Sequence, residues 1–449
     1  MATRQELKEK ACAAIEERKE EIIAIAQDIL RHPETGYTEQ RTSGIVKDWF
    51  GRLDVPYRDR IAITGVKGQM SGGAGAGPTV GLVAEMDSLR VEDHPFADPT
   101  TGAAHACGHN VQIASMIGSL IGLRTPGVME ALAGRLVPFA VPAEEFIEVE
   151  RRLKLKEEGK IEFLGGKQEL IKLNEFSEMQ MALHMHTGNL ESPARLSVGG
   201  TCNGHVAKFV QFIGRGAHAG GAPHMGINAL NAAMIAIQSM NANRETFRDA
   251  DSVRFHGIIT RGGDAVSAVP SDVRLEWRVR AGTMESVRLN NEKLDRSFKA
   301  GALAVGARVK ITTIPGYFPI HNDPNLKAMF IPNAQELVGK EGLRVVSDDV
   351  NGGHSTDFGD MSQVLPVLGI NVGGVTGQAH GNNYVVTDWE NAVVDSAKVV
   401  AMSIIDLMYG DAAKAKEVAA KAKPPMTREQ YLAFQRSQAA DVDYDGAKG

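Results

Sequence analysis

Strand-length apolar runs alternate with helix-length stretches over roughly the first 190 residues, and that alternation commits this part of the chain to helices layered on a largely parallel sheet. Gln5 to Leu30 reads as one amphipathic helix, with Ala14, Ile15, Ile22, Ile23, Ile25 and Ile29 on a helical period and a stop at His32-Pro33. A second helix is expected near Ser43–Leu53. Behind the Gly-rich Ser71–Pro78 comes Val80–Ala84, short and apolar enough to be a buried strand. Leu136–Val141 and Met181–His186 are further strand candidates, with a helix over Val111–Leu123.

The texture changes near residue 203. Val206–Gly214 alternates as a strand and Asn228–Asn243 reads as a helix. Val253–Thr260 and Asp272–Ala281 read as strands, Met284–Gly306 as a helix and Arg308–Pro315 as a strand. This β-α-β-β-α-β order is that of a ferredoxin-like unit. From Pro319 the α/β character resumes, with a helix near Leu326–Val338, a strand at Val364–Ile370 and a helix over Trp389–Tyr409. The Ala/Lys-rich end is expected to be a helix followed by a loose tail. A chain of 449 residues is too long for one core. The simplest parse is an α/β domain split over 1–202 and 318–449 by an inserted α+β module at 203–317.

Composition narrows the function classes. A net charge of −6 without a long Lys/Arg block lacks the electrostatic footprint of a nucleic-acid binder. Cys12, Cys107 and Cys202 are too few for a disulfide framework, and MATRQELKEK has no signal-peptide apolar core, so a cytoplasmic location is expected. No run approaches the roughly 18 apolar residues that cross a bilayer, so no membrane partner is expected.

The residues able to do chemistry sit at strand ends and loops. His105-Ala106-Cys107-Gly108-His109-Asn110 sets a thiolate and an imidazole two residues apart before a helix, a pairing that suits a borderline-soft divalent metal. A buried Cys beside a capping His–Asn pair fits the same residues. Pro142-Ala143-Glu144-Glu145 follows a strand, at the sheet edge where α/β sites form. Adjacent carboxylates call for a cation or a shared proton, or else mark an acidic helix N-terminus. His184 and His186, two residues apart, share one strand face. His380 lies in the Gly-rich Gly377–Asn383. Together these could ligate two metal ions and leave Glu144 free as a base.

The set resembles the M20 family of metallopeptidases and amidohydrolases, in its D-type branch of N-acyl-amino-acid and auxin-conjugate amidohydrolases, nearest the aminobenzoyl-glutamate-hydrolase-like members. The likeness runs from His32 to Thr387. His32–Glu39 is similar to its H-P-E-x-G-x-x-E, Glu85-Met86-Asp87-Ser88-Leu89 to its E-x-D-A-L, His105–Asn110 to H-A-C-G-H-[DN], and Pro142–Glu145 to P-A-E-E. Gly214–Ala219 with Pro223-His224 and Gly226–Leu230 resembles the lid motif, and Ser355–Asp360 resembles S-T-D-x-G-[DN]. The resemblance implies a dinuclear-metal exopeptidase-like catalytic domain with an inserted ferredoxin-like lid and dimerisation domain. It also implies two divalent ions (Zn or Mn, with Co as a third candidate), a homodimer or higher homo-oligomer, and hydrolysis of an amide bond in an N-acyl amino acid or peptide-like substrate. Residue by residue, it makes Cys107 the bridging ligand and His109, Glu145, His186 and His380 the others, with His184 the alternative to His186. Glu144 becomes the general base, Asp87 the residue that orients a ligand histidine, and His218 a group reaching the partner subunit's substrate. Ser267 and Arg280 join His218 as substrate contacts.

Three departures accompany the likeness. Ser267 stands where the lid motif has Asn, which weakens the expectation of an ordinary grip on a substrate carboxylate. Phe146 replaces a glycine, and the charged helix expected over 147–162 reads mostly as solvated surface. Pro138 and Pro366 fall inside predicted strands, where a missing N–H is awkward. Two other functions fit parts of the set: a hydrolase with Cys107 as nucleophile, and a metal-poor binding or scaffold protein on the same fold.

Overall fold

Two sheets organise the computed structural model, which describes residues 2–449. The larger has nine strands. Its central, parallel part runs Arg135–Val141, Thr79–Glu85, Met181–Thr187, Val367–Val372, each hydrogen-bonded to the next. Leu196–Thr201 and Leu343–Asn351 extend it on one side; Tyr57–Ile61, Gly65–Gly68 and Met70–Ser71 lie on the other. Thr79–Glu85 is buried along its whole length, as expected of a strand covered on both faces. The helix His109–Leu123, also buried throughout, packs with Lys19–Leu30 and Ser396–Met408 on the sheet.

The second sheet is antiparallel, in the order Arg254–Arg261, Asp272–Ala281, Gly204–Ile213, Arg308–Pro315, Ala440–Asp445. Asp272–Ala281 alternates half-buried and buried positions, so one face is left for the helices Ala229–Ala242 and Met284–Val305. Small residues on the first helix (Ala232, Ala233, Ala236) let the second approach closely through Leu294, Phe298 and Gly301.

Several local expectations shift. The helix expected over Gln5–Leu30 is two, Arg4–Glu17 and Lys19–Leu30, because Arg18 leaves helical geometry (φ −106°, ψ 18°) with no glycine or proline to signal it. Pro138 does sit in a central strand. Its neighbour across the sheet is interrupted there, between Gly65–Gly68 and Met70–Ser71, and Gly68 leaves room where a Cβ would lie 3.0 Å from the ring. Pro366 precedes its strand rather than joining it. The tail is not loose. Arg428–Gln438 docks on the α/β part through Tyr431 Oη and Gln435 Nε2, each 2.7 Å from the buried Asp360 carboxylate, and Ala440–Asp445 then crosses to complete the second sheet. The 318–449 segment therefore contributes its last strand to the inserted module's sheet.

Candidate metal centre

The candidate groups converge at the C-terminal ends of the parallel strands, where such sheets open a crevice. Thr79–Glu85 delivers Glu85 and, two residues on, Asp87; Arg135–Val141 delivers Glu144 and Glu145; Met181–Thr187 carries His184 and His186. Cys107 and His109 enter from the start of the helix His109–Leu123. Gly108 makes that turn with φ +86°, and a Cβ there would meet Thr187 Oγ1 at 2.0 Å. His380 arrives on its loop with φ +68°, its N–H held by the Ala106 carbonyl at 2.8 Å.

The donor atoms fall into overlapping triads, each within 4.8 Å: Cys107, His109 and His186; Cys107, Glu145 and His380; and Glu85, His109 and Glu144. Cys107 is common to the first two. His186 Nε2 lies 3.3 Å from Cys107 Sγ, whereas His184 Nε2 turns to Glu85 at 3.1 Å and its ring stacks on Phe358. Of the two histidines, the geometry brings His186 to the cysteine.

Tautomers follow from the second nitrogen of each ring. His186 Nδ1 donates to the Thr187 carbonyl at 2.7 Å, and His109 Nδ1 to the Asp87 carbonyl at 2.8 Å, which turns His186 Nε2 to Cys107 Sγ and His109 Nε2 to Glu85 Oε2, 3.1 Å away. Asp87 does more than steady His109. Its two oxygens accept the Glu144 and Glu145 N–H groups at 3.1 and 2.9 Å, and so hold the turn that aims both carboxylates. Ala143, at φ +54°, makes the turn sharp, and Glu39 binds its N–H at 2.9 Å. Tyr317 Oη donates to the Glu144 carbonyl at 2.5 Å.

This arrangement fits bound cations. His109 Nε2 and Glu145 Oε1 are buried and make no hydrogen bond, a costly state; each faces one other candidate group, Glu85 Oε2 at 3.1 Å and His380 Nε2 at 3.6 Å. Glu85, Asp87, Glu144, Glu145 and Asp357 are all buried together, with Lys167 the fixed cation among them. Burial pushes the Glu144 carboxyl well above the usual carboxylate range, with Glu85, Glu145 and Asp357 adding repulsion. Burial, then Glu145, pushes the Cys107 thiol up as well. A soft divalent ion would reverse both effects.

A model of peptidase family M20/M25/M40 matches residues 81–406. The chain belongs to that family. Like the other members named here, this M20 protein is an enzyme, a hydrolase. Mouse Xaa-Arg dipeptidase is 27% identical over 439 residues, covering 90% of this chain and 89% of the relative. The N-acetylcysteine deacetylase of Bacillus subtilis is 26% identical over 357 residues, covering 77% and 86%. Among solved structures, a Bacillus subtilis protein described as a dinuclear metal binding peptidase of the M20 family superposes with a TM-score of 0.58 at 22% identity, covering 86% of this chain and 98% of that one.

Around the donor set this M20 chain encloses a cavity of about 340 Å³ that reaches Arg278 and Arg280 of the second sheet. His218 and Ser267 do not line it. Both are exposed, adjacent at the sheet's far end, where Ala219 N–H meets the Ser267 carbonyl at 2.8 Å. The segment expected as solvated surface is a helix, Val149–Glu157, half turned inward. Arg152 is fully buried over Tyr37, Glu150 pairs with Arg274 of the second sheet at 2.6 Å, and Phe146 walls the cavity.

Residues without a role from the sequence prove central. Lys167 bonds Glu85 at 2.5 Å and also Asp357, and Glu85 Oε2 lies 3.1 Å from His109 Nε2. Motifs pointed to Glu85 and Asp357, but nothing in the local pattern marks a lysine as buried.

His205, at the junction of the two sheets, carries a pH-dependent stability. Burial, then Arg278 and Arg280, holds its imidazole well below the ordinary range, and neutral Nδ1 accepts the Tyr317 N–H at 3.3 Å. Below about pH 6.5 the unfolded chain takes up a proton that the folded chain refuses, so stability present above that pH is lost as pH falls, by about 1.4 kcal/mol per unit. His205→Asn is expected to remove that increment. Urea midpoints of both proteins at pH 7 and pH 5 check it, and parallel pH slopes would disprove it.

Proposed function

We propose that this chain hydrolyses the amide bond of an N-acyl amino acid or small peptide-like conjugate, using two divalent metal ions. The observation that carries this reading is the pair of donor triads sharing Cys107, with His186 Nε2 turned to Cys107 Sγ and a buried His109 nitrogen and Glu145 oxygen that make no hydrogen bond. Cys107, His109 and His186 would hold one ion, and Cys107, Glu145 and His380 the other. Thiolate and imidazole suit Zn2+; Mn2+ and Co2+ are the other candidates. When bound, the ions lower the pKa of water and polarise the scissile carbonyl.

The chain's own residues move the proton. Glu144, fixed at its N–H by Asp87 and at its carbonyl by Tyr317, takes a proton from the attacking water on its carboxylate and returns it to the leaving nitrogen. A cytoplasmic site agrees with three unpaired cysteines, and no helix of the described residues is long and apolar enough to cross a membrane. The protein acts as a homodimer through the inserted lid. One edge of the lid sheet is covered by Ala440–Asp445, and the free edge, Arg254–Arg261, presents the exposed Ile258 and Ile259. His218, exposed and remote from its own cavity, reaches the partner's.

The test pairs metal analysis with a panel of N-acyl amino acids. About two ions per chain, loss of activity on chelation, and recovery on adding metal are expected. Mixing His218→Ala with Glu144→Gln protomers is expected to restore activity that neither has alone. A fully active protein with no bound metal would overturn the reading.

A further inference from the structure

The chain leaves the inserted module through Gly316-Tyr317-Phe318, all buried. Tyr317 Oη donates to the Glu144 carbonyl at 2.5 Å, while Asp87 accepts the Glu145 N–H at 2.9 Å. That carbonyl and that N–H are the two ends of one planar peptide unit. The two contacts therefore fix the plane from which the Glu144 and Glu145 side chains both depart. Tyr317 is clamped in the same manner, at both peptide planes that flank it. His205 Nδ1 accepts the Tyr317 N–H at 3.3 Å, and the His205 N–H meets the Tyr317 carbonyl at 2.8 Å. The opposite end of each plane is held from elsewhere. Gln168 and Gln435 donate to the Gly316 carbonyl at 2.6 and 2.9 Å, and the Asp360 carboxylate accepts the Phe318 N–H at 3.3 Å.

Gln435 belongs to the C-terminal helix Arg428–Gln438, and Tyr431 of the same helix donates to Asp360 Oδ1 at 2.7 Å. Beyond it, Ala440–Asp445 lies along Arg308–Pro315, the strand that runs into Gly316. The Arg308–Asp443 ion pair and Thr312 Oγ1, which donates to Asp441 Oδ1 at 2.8 Å, tie the two together. This strap thus grips one interdomain link on both sides of the border, and it lies beyond the family-matched residues 81–406. We propose that the strap serves the reaction itself: Tyr431 and Gln435 are positioning residues that hold Tyr317 on the Glu144 carbonyl and so aim the general base. This rests on the amidohydrolase reading above. Gly316 cannot hold the link by itself, because glycine has the widest backbone freedom of any residue. Nor can a larger residue replace it, since a Cβ there would meet the His205 carbonyl at 2.2 Å. Anchors must come from outside, and bonds to a buried carboxylate such as Asp360 are among the strong ones.

The test uses full-length, metal-loaded wild type, Gln435→Met, Tyr317→Phe and the double variant. On N-acyl amino acids, Gln435→Met and Tyr317→Phe are each expected to lower kcat about tenfold with KM little changed. The double variant should be no slower than Tyr317→Phe alone, because Gln435 acts through Tyr317. Fold losses that multiply in the double variant would overturn the inference. A second readout needs no turnover. Amide hydrogen exchange over residues 142–147 of the metal-free proteins should quicken about tenfold in both single variants, with exchange over Thr79–Glu85 as in wild type. Should Gln435→Met not fold, Tyr431→Phe, which keeps its ring in the core, is read the same way. A strap variant with wild-type kcat, or with wild-type exchange over 142–147, overturns the inference and leaves the amidohydrolase reading intact. If wild type hydrolyses no N-acyl amino acid, that reading falls, and exchange alone decides whether the strap sets the turn.

Discussion

Glu144→Gln is expected to lower kcat by about 10²–10⁴-fold with metal content unchanged, the range lost with a general acid–base group. The substitution is close to isosteric, and the groups that position this residue act on its backbone: Asp87 accepts its N–H and Tyr317 donates to its carbonyl. The turn should therefore survive. KM should move little, because Glu144 works on the proton rather than on substrate binding. Steady-state kinetics with metal analysis of the same preparation checks both halves. The outcome also decides against the cysteine-nucleophile alternative, which has one observation in its favour, the 3.3 Å approach of His186 Nε2 to Cys107 Sγ. A nucleophilic thiol needs a lowered proton affinity, and burial with Glu145 drives that of Cys107 the other way. If Glu144→Gln keeps the full rate while Cys107→Ala abolishes it with metal retained, the assignment reverses.

That the candidate ligands would gather at one sheet edge was legible because strand ends and short motifs are local. A strand of apolar residues followed by Pro142–Glu145 places its carboxylates at the sheet edge whatever the rest of the chain does. The choice between His184 and His186 was a different matter. Alternation puts both on one face, and only the position of Glu85 across the sheet separates them, since it draws His184 away from Cys107. The C-terminal strap was illegible for a related reason. Ala440–Asp445 is polar and acquires its strand from Arg308–Pro315, more than a hundred residues away. Its exposed sequence, ADVDYD, carries no core signal of its own. The helix Val149–Glu157 shows the limit from the other side: a charged stretch reads as surface until a partner such as Tyr37 or Arg274 buries it.

Lys167→Met is expected to cost about 3–5 kcal/mol of stability, the loss that follows when one partner of a buried ion pair is removed. Lys167 is fully buried and bonds both Glu85 and Asp357; its own N–H also meets Asp357, at 2.7 Å. Burial pushes Asp357 up to about 6 even with the ammonium beside it, whereas Glu85 is held well below its ordinary range against burial by Lys167, His184 and His109. Without the lysine both carboxylates must take protons to remain inside. The deficit should thus be larger at pH 8 than at pH 5, because protonation is easier at the lower pH. Lys167→Met/Asp357→Asn should recover part of it, since Glu85 keeps Gln112 at 2.7 Å and its two histidines. Urea unfolding of the single and double variants, metal-free, gives the comparison. A single variant as stable as wild type at pH 8 would mean that the acids beneath the metal centre are neutralised by something other than this lysine.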